Sequence, residues 1–144
     1  MQLLYKNATR FLMYLKQIDK ASMAVQNELH KSMKNKELIQ LLALEKSLVY
    51  FSTSLTSNEM VLDKMMKLGY IKKYQDDVDL LEDVIVENKQ AIEMCNIYRD
   101  ILSGTMDAFA SVISNNLNIV MKLLAAITTV SYTHLRAHET LMNL

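Results

Sequence analysis

The sequence predicts an all-α fold made of a few long helices, and three observations carry that reading. The 144 residues contain no proline and only two glycines, Gly69 and Gly104, so little in the chain bends or ends a helix. Leu, Met, Lys, Glu and Ala, all strong helix formers, recur throughout. Apolar residues return at intervals of three and four rather than two. At 51% hydrophobic and single-domain length, the chain is rich enough in apolar side chains to bury a core.

A first helix is expected from Leu3 to about Lys31, with Leu4, Phe11, Tyr14, Leu15, Ile18, Met23, Val25 and Leu29 along one broad stripe. Lys34, Asn35 and Lys36 interrupt the stripe, and Asn35 is the expected N-cap of a second helix. Its apolar face is read as Leu38, Leu41, Leu42, Leu48, Phe51, Leu55, Val61, Leu62 and Met65. Gly69 supplies the stop, since glycine readily takes the left-handed C-terminal conformation, and Leu68 to Gln75 turn the chain. A third helix should start near Asp76 and run far, because Val78, Leu81, Ile85, Ile92, Cys95, Leu102, Met106, Phe109, Ile113, Val120, Leu123 and Ile127 keep the spacing. The predicted architecture is an antiparallel hairpin packed on one very long coiled-coil-like helix, whose carboxyl half needs oligomerisation or a membrane to cover it. Gly104 falls inside that helix, where it marks either a close helix approach or flex point, or a locally weakened turn.

Sixteen basic residues balance sixteen acidic ones, so no bulk field draws in nucleic acid, and function must lie in local charge patterning. The single cysteine, Cys95, forms no intramolecular disulfide and reads as a small buried apolar side chain. Leu3 and Leu4 are followed at once by Lys6 and Arg10, without the apolar run of a signal peptide. No activated serine or cysteine, glycine-rich phosphate loop or metal triad is found, so no enzyme is expected.

The acidic run is the first feature with chemistry in it. Asp76, Asp77, Asp79, Glu82, Asp83 and Glu87 fall together, no basic residue lies between Lys73 and Lys89, and Asp76, Asp79, Asp83 and Glu87 share a helix face. Such oxygen ligands suit hard divalent cations. Asp76 and Asp77 equally complement the dipole of a helix amino terminus, whereas Asp83 lies beyond the first turn. An EF-hand is rejected, because the sixth loop position lacks glycine. His134 and His138, four apart and followed by Glu139, have the wrong order for a metalloprotease zinc site, and His30 reads as a solvated residue near a helix end.

Several stretches resemble the CorA family of magnesium/cobalt channels: Leu80 to Met94, Ile97 to Asp107, the hairpin segment Leu44 to Phe51 and, most specifically, Ser114 to Lys122. The last is similar to the Ser-Asn-x-x-Asn-x-x-Met-Lys stretch at the cytoplasmic entrance of that family's first transmembrane helix. The similarity covers roughly residues 3 to 130 and implies a homopentamer whose long helices line a pore for magnesium, with cobalt as an alternative ion. It implies pore-facing Asn118, Met121 and Leu124, with the amide holding a cation's water shell and the thioether and leucine forming an apolar gate. It implies a regulatory divalent ion at Asp83 and a cation-attracting carboxylate at Asp107; Asp79 and Glu87 join these from the acidic face. Lys122 would sit at the cytoplasmic surface of a cell membrane. No further cofactor is implied.

The resulting layout is a cytoplasmic helical hairpin over residues 1–74 and a stalk helix over 75–130 leading into an incomplete transmembrane helix. The apolar run from Leu123 to Val130 is eight residues, read as too short to cross a bilayer. Neither the family's Gly-Met-Asn signature nor its second transmembrane helix follows, and its preceding α/β domain is missing. Ser131 to Thr140 resembles translated sequencing-adapter read-through, so residues 131–144 are expected to be foreign. The expected function is a non-conducting fragment of a divalent-cation channel; the alternative is a soluble antiparallel coiled-coil interaction protein with no transport role.

Overall fold

The computed structural model describes residues 2–32, 34–69 and 74–142, and among these the regular structure is entirely helical: α1 (Gln2–Ser32), α2 (Asn35–Leu68) and α3 (Gln75–Met142). The chain divides into two units, residues 1–106 and 107–144.

In the first unit the buried side chains recur at intervals of seven. In α1 they are Ala8, Leu15, Ser22 and Leu29, and in α2 Leu41, Leu48, Leu55 and Leu62. In α3 they are Leu81, Asn88, Cys95 and Leu102, with Val84 and Ala91 three residues after the first two. Half-buried residues such as Phe11, Ile18, Phe51 and Met65 fill the intervening seam positions. This is the pattern of knobs-into-holes packing, which keeps one seam facing its partners along the whole helix. The directions of the helices follow from the contacts. Leu4 packs with Met65 and Met66 on a cluster of Leu62, Leu81 and Val84. Phe11 meets Phe51 edge to face at 5.3 Å, so α2 runs antiparallel to α1. The Asn88 Nδ2 donates to the Leu55 carbonyl at 2.9 Å, so α3 runs antiparallel to α2 and parallel to α1.

The heptad register corrects several stripe assignments. Tyr14, Met23, Leu42 and Val61 are exposed, because the 3/4 spacing admits a stripe one position to either side of the buried one. The seam takes Ala8, Ser22, Asn88 and Ala91 instead, small or polar residues that a search for large apolar side chains passes over. Ser22 accepts from Gln26 Nε2 at 2.9 Å, which satisfies its buried hydroxyl.

The helix ends agree with the sequence at one place and differ at another. Gly69 closes α2 at φ 64° and ψ 19°, the left-handed conformation that costs glycine least. Asn35 is not the N-cap of α2 but its first helical residue. The cap position is Lys34, with extended backbone and no side-chain capping bond, since an ammonium has no acceptor to offer. Within the expected connection, residues 70–73 lie outside the described residues. Gly104 has no neighbour within 4 Å of the place a Cβ would take, so no close helix approach occurs there within this chain.

Cys95 is buried, 1% exposed, as its residue type implied. Burial pushes its thiol up from 9.0 to about 11, and the Arg99 guanidinium pulls weakly the other way. Burial also raises the Tyr98 phenol, with a smaller push from the Asp19 carboxylate on α1.

Three outcomes are expected. Asn88→Ala, which removes the buried amide tying α3 to α2, should lower the free energy of urea unfolding by about 1–2 kcal/mol. Gly104→Ala should raise helix stability by about 1 kcal/mol, read as a higher melting temperature in circular dichroism. Cys95 should resist alkylation near neutral pH until the chain unfolds. Because its folded pKa lies above its unfolded one, the stability it contributes is complete below about pH 9 and declines toward pH 11, measurable as a falling denaturation midpoint in that window.

Candidate functional site

The chemistry-bearing residues lie on α3. Its first turn is closed by backbone bonds from the Asp77 and Val78 amides to the Tyr74 carbonyl at 3.2 and 3.4 Å, which puts Asp76 and Asp77 at the positive end of the helix dipole. Asp79 and Asp83 are exposed one turn apart, and Glu87, one turn further, is half-buried. One Asp79 oxygen accepts from Gln75 Nε2 at 2.8 Å. Like charges at this spacing repel, and no cation among the described residues pairs with them. The two ion pairs found there are both local, Lys31 with Glu28 at 3.2 Å and Arg99 with Asp100 at 3.7 Å.

Side chains on one straight helix diverge. Among the described residues, no three His, Cys, Asp or Glu side chains come together in a way that would hold a metal ion. Asp79, Asp83 and Glu87 therefore form a row of hard oxygen donors rather than a closed cage. His134, His138 and Glu139 likewise gather no metal set.

Asp107 opens the second unit, where it is exposed. In that unit Asn118, Met121 and Leu124 are all exposed, the last two at 67% and 58%. Their spacing of three turns each residue about 60° from the last, so they form a lengthwise band. The band is not set off by a polar back: Leu117, Ile119, Val120, Leu123, Ile127 and Val130 are exposed around the same turns. A helix apolar all round belongs in a protein core or a bilayer. α3 holds an 18-residue stretch apolar enough to cross a membrane by length and composition, none of it buried. This corrects the reading of an eight-residue apolar run. What matters for spanning is low mean polarity over the length, and the three asparagines Asn115, Asn116 and Asn118 with Lys122 do not raise it enough to break the stretch.

The threonines of this segment show a feature the sequence reading passed over. Thr128 and Thr129 donate their hydroxyls to the carbonyls of Leu124 and Ala125, each at 2.8 Å, and Thr133 donates to those of Val130 and Thr129 at 2.8 and 3.1 Å. Each hydroxyl is thus satisfied within its own helix; Thr9, Thr53, Thr56 and Thr105 make the same bond in exposed turns elsewhere, so it is a local property of helical threonine and not particular to this segment. A threonine four residues after an apolar one in an apolar run is the signal that would have found them.

Comparison with known proteins bears on what these features serve. A family model described as CorA-like Mg2+ transporter protein matches residues 1–132. The chain is similar to the cobalt/magnesium transport protein CorA of Methanocaldococcus jannaschii, at 35% identity over 92 residues, covering 63% of this chain and 29% of that protein. No solved structure matches the chain. A family match that takes in the bundle, the acidic row and nearly all of the apolar stretch leaves one conclusion: the chain belongs to the CorA-like Mg2+ transporter family.

Proposed function

We propose that the chain is a segment of a divalent-cation channel, carrying magnesium with cobalt as an alternative ion, and that it does not conduct by itself. The observation that carries this reading is the composition of α3, which holds a row of carboxylates and an exposed apolar stretch long enough for a bilayer in one helix. Residues 75–130 act as a stalk that leads into a membrane helix, with the hairpin of residues 1–74 on the cytoplasmic side. Residues 131–144 take no part.

Five copies around one axis turn the band of Asn118, Met121 and Leu124 into three stacked rings. The amide ring holds a hydrated cation by its water shell, while the thioether and leucine rings close by excluding water. Asp83, with Asp79 and Glu87 nearby and Asp107 further along, binds a regulatory divalent ion between copies. A single chain offers these oxygens in a row, and a facing copy supplies the remaining ligands that a hard cation demands. No Gly-Met-Asn tripeptide occurs in the sequence, which supports assigning conduction to a longer chain. The role is permeation and ion sensing, without catalysis.

Sedimentation of the full 144-residue chain in lipid nanodiscs, with and without magnesium, tests the reading. Magnesium should drive association to a pentamer, and Asp83→Asn should raise the magnesium concentration at the midpoint severalfold. An oligomeric state indifferent to magnesium would favour a coiled-coil interaction protein instead. Liposomes bearing this chain should show no magnesium flux above the lipid background.

A further inference from the structure

The turn between α1 and α2 carries charge of one sign. Residues 30–36 contain Lys31, Lys34 and Lys36 and no acid, whereas residues 63–79, around the other turn, hold four lysines against four aspartates. All three lysines of the first turn are exposed. Lys34 and Lys36 take part in neither ion pair found among the described residues. Lys31 pairs with Glu28, but both side chains stay largely in solvent, where such a pair is worth little and exchanges readily. The next acid along, Glu37, has one carboxylate oxygen buried without a hydrogen-bond partner, so it is drawn in from the surface of the turn. Helix stability does not account for the pattern. Lys34 at the cap and Lys36 in the first turn of α2 sit at the positive end of its dipole, which disfavours cations.

The place of this turn gives the charge a direction. α1 runs parallel to α3, so the turn lies at the end of the first unit from which α3 leaves it. Asp19 acts on Tyr98, which aligns the two helices. Ser32 lies 13 residues beyond Asp19, and Met106, the last residue of the unit, eight beyond Tyr98. The turn therefore reaches at least as far along the axis as the point where α3 leaves. Past Asp107 that helix carries no charge until Lys122, and Val112, Leu117, Ile119 and Val120 are exposed on the way.

We propose that Lys31, Lys34 and Lys36 dock on the anionic phospholipid headgroups of the membrane that α3 enters, so that the tip of the hairpin rests on the bilayer surface. The inference rests on the membrane helix of the proposed function and names the surface its hairpin touches. Charge and place together select the occupant. The cytoplasmic leaflet of a bilayer carries a negative surface potential, which attracts lysines held within a Debye length of it. A nucleic acid would meet only this short patch on a chain of zero net charge, whereas α3 itself brings a bilayer to the three lysines. Lysine also suits the contact, because a point charge on a flexible stem meets headgroups in any arrangement.

Fluorescence quenching on the full chain in nanodiscs tests this, with a thiol-directed label attached through Asn35→Cys at the turn. Quenching by headgroup-spin-labelled lipid should be at least about threefold stronger in discs holding about 30% phosphatidylglycerol than in discs of phosphatidylcholine alone. Raising the salt from about 0.1 to about 0.5 M should remove most of that difference. Lys31→Gln, Lys34→Gln and Lys36→Gln should each weaken the docking equilibrium by about fivefold, and the three combined should abolish the dependence on lipid charge. Unchanged helicity in circular dichroism shows that the combined variant folds. A second label, through Ala126→Cys and read against acyl-chain spin label, reports on α3 separately. Quenching at position 126 with none at the turn, or with the same quenching there in both lipids, would overturn the headgroup contact and leave the membrane helix standing. No quenching at either position would overturn the membrane helix and the contact with it. Release of the turn by millimolar inorganic phosphate at constant ionic strength would assign the lysines to free phosphate and overturn the lipid contact as well.

Discussion

The seven-residue interval of buried side chains is the constraint on which the first unit depends. Leu41, Leu48, Leu55 and Leu62 form an unbroken leucine line on α2, and α1 and α3 offer lines at the same interval. Packing of this kind is permissive, because a leucine seam shifted by one heptad still meets leucines. Asn88 adds a polar tie to that seam. Its amide, 2% exposed, donates to the main-chain carbonyl of Leu55 and so stays satisfied among apolar side chains, where an unpaired amide would be costly. The leucines supply the affinity between helices.

The second unit obeys the opposite rule. There the side chains of residues 110–142 are almost all exposed, with Ile113 half-buried. Exposed apolar surface on this scale is a cost in water and a gain in hydrocarbon. One helix therefore carries two solvent regimes, and the change between them is written in side-chain chemistry with no break in the backbone. The carboxylates of the first stretch favour hydrated ions, and the apolar turns of the second exclude water.

Much of this was legible in the sequence, for reasons that can be named. Three helices followed from the near absence of glycine and proline, and the stop at Gly69 followed from a conformation that other residues resist. The large seam residues Leu15, Leu29, Leu48, Leu55, Leu81 and Leu102 were readable because size and spacing agree there. Ala8, Ser22, Asn88 and Ala91 were not, since burial at those positions is decided by the partner helix and not by the side chain's own apolarity. The cap at Lys34 was missed because propensity favours the neighbouring asparagine while the turn geometry places the boundary one residue earlier. On α3, the shared face of Asp79, Asp83 and Glu87 came directly from helical spacing. Their failure to converge on an ion also follows from that spacing, since neighbours on a straight helix point along diverging radii.

The sequestered thiol of Cys95 has a use beyond packing. As the chain's single cysteine, held deep in the seam and protonated at neutral pH, it leaves no thiol on the exterior to compete for a thiol-directed label. A nitroxide or fluorophore attached to a newly installed surface cysteine would then report from one known place in the otherwise native sequence, so separations between neighbouring copies become measurable as distance distributions.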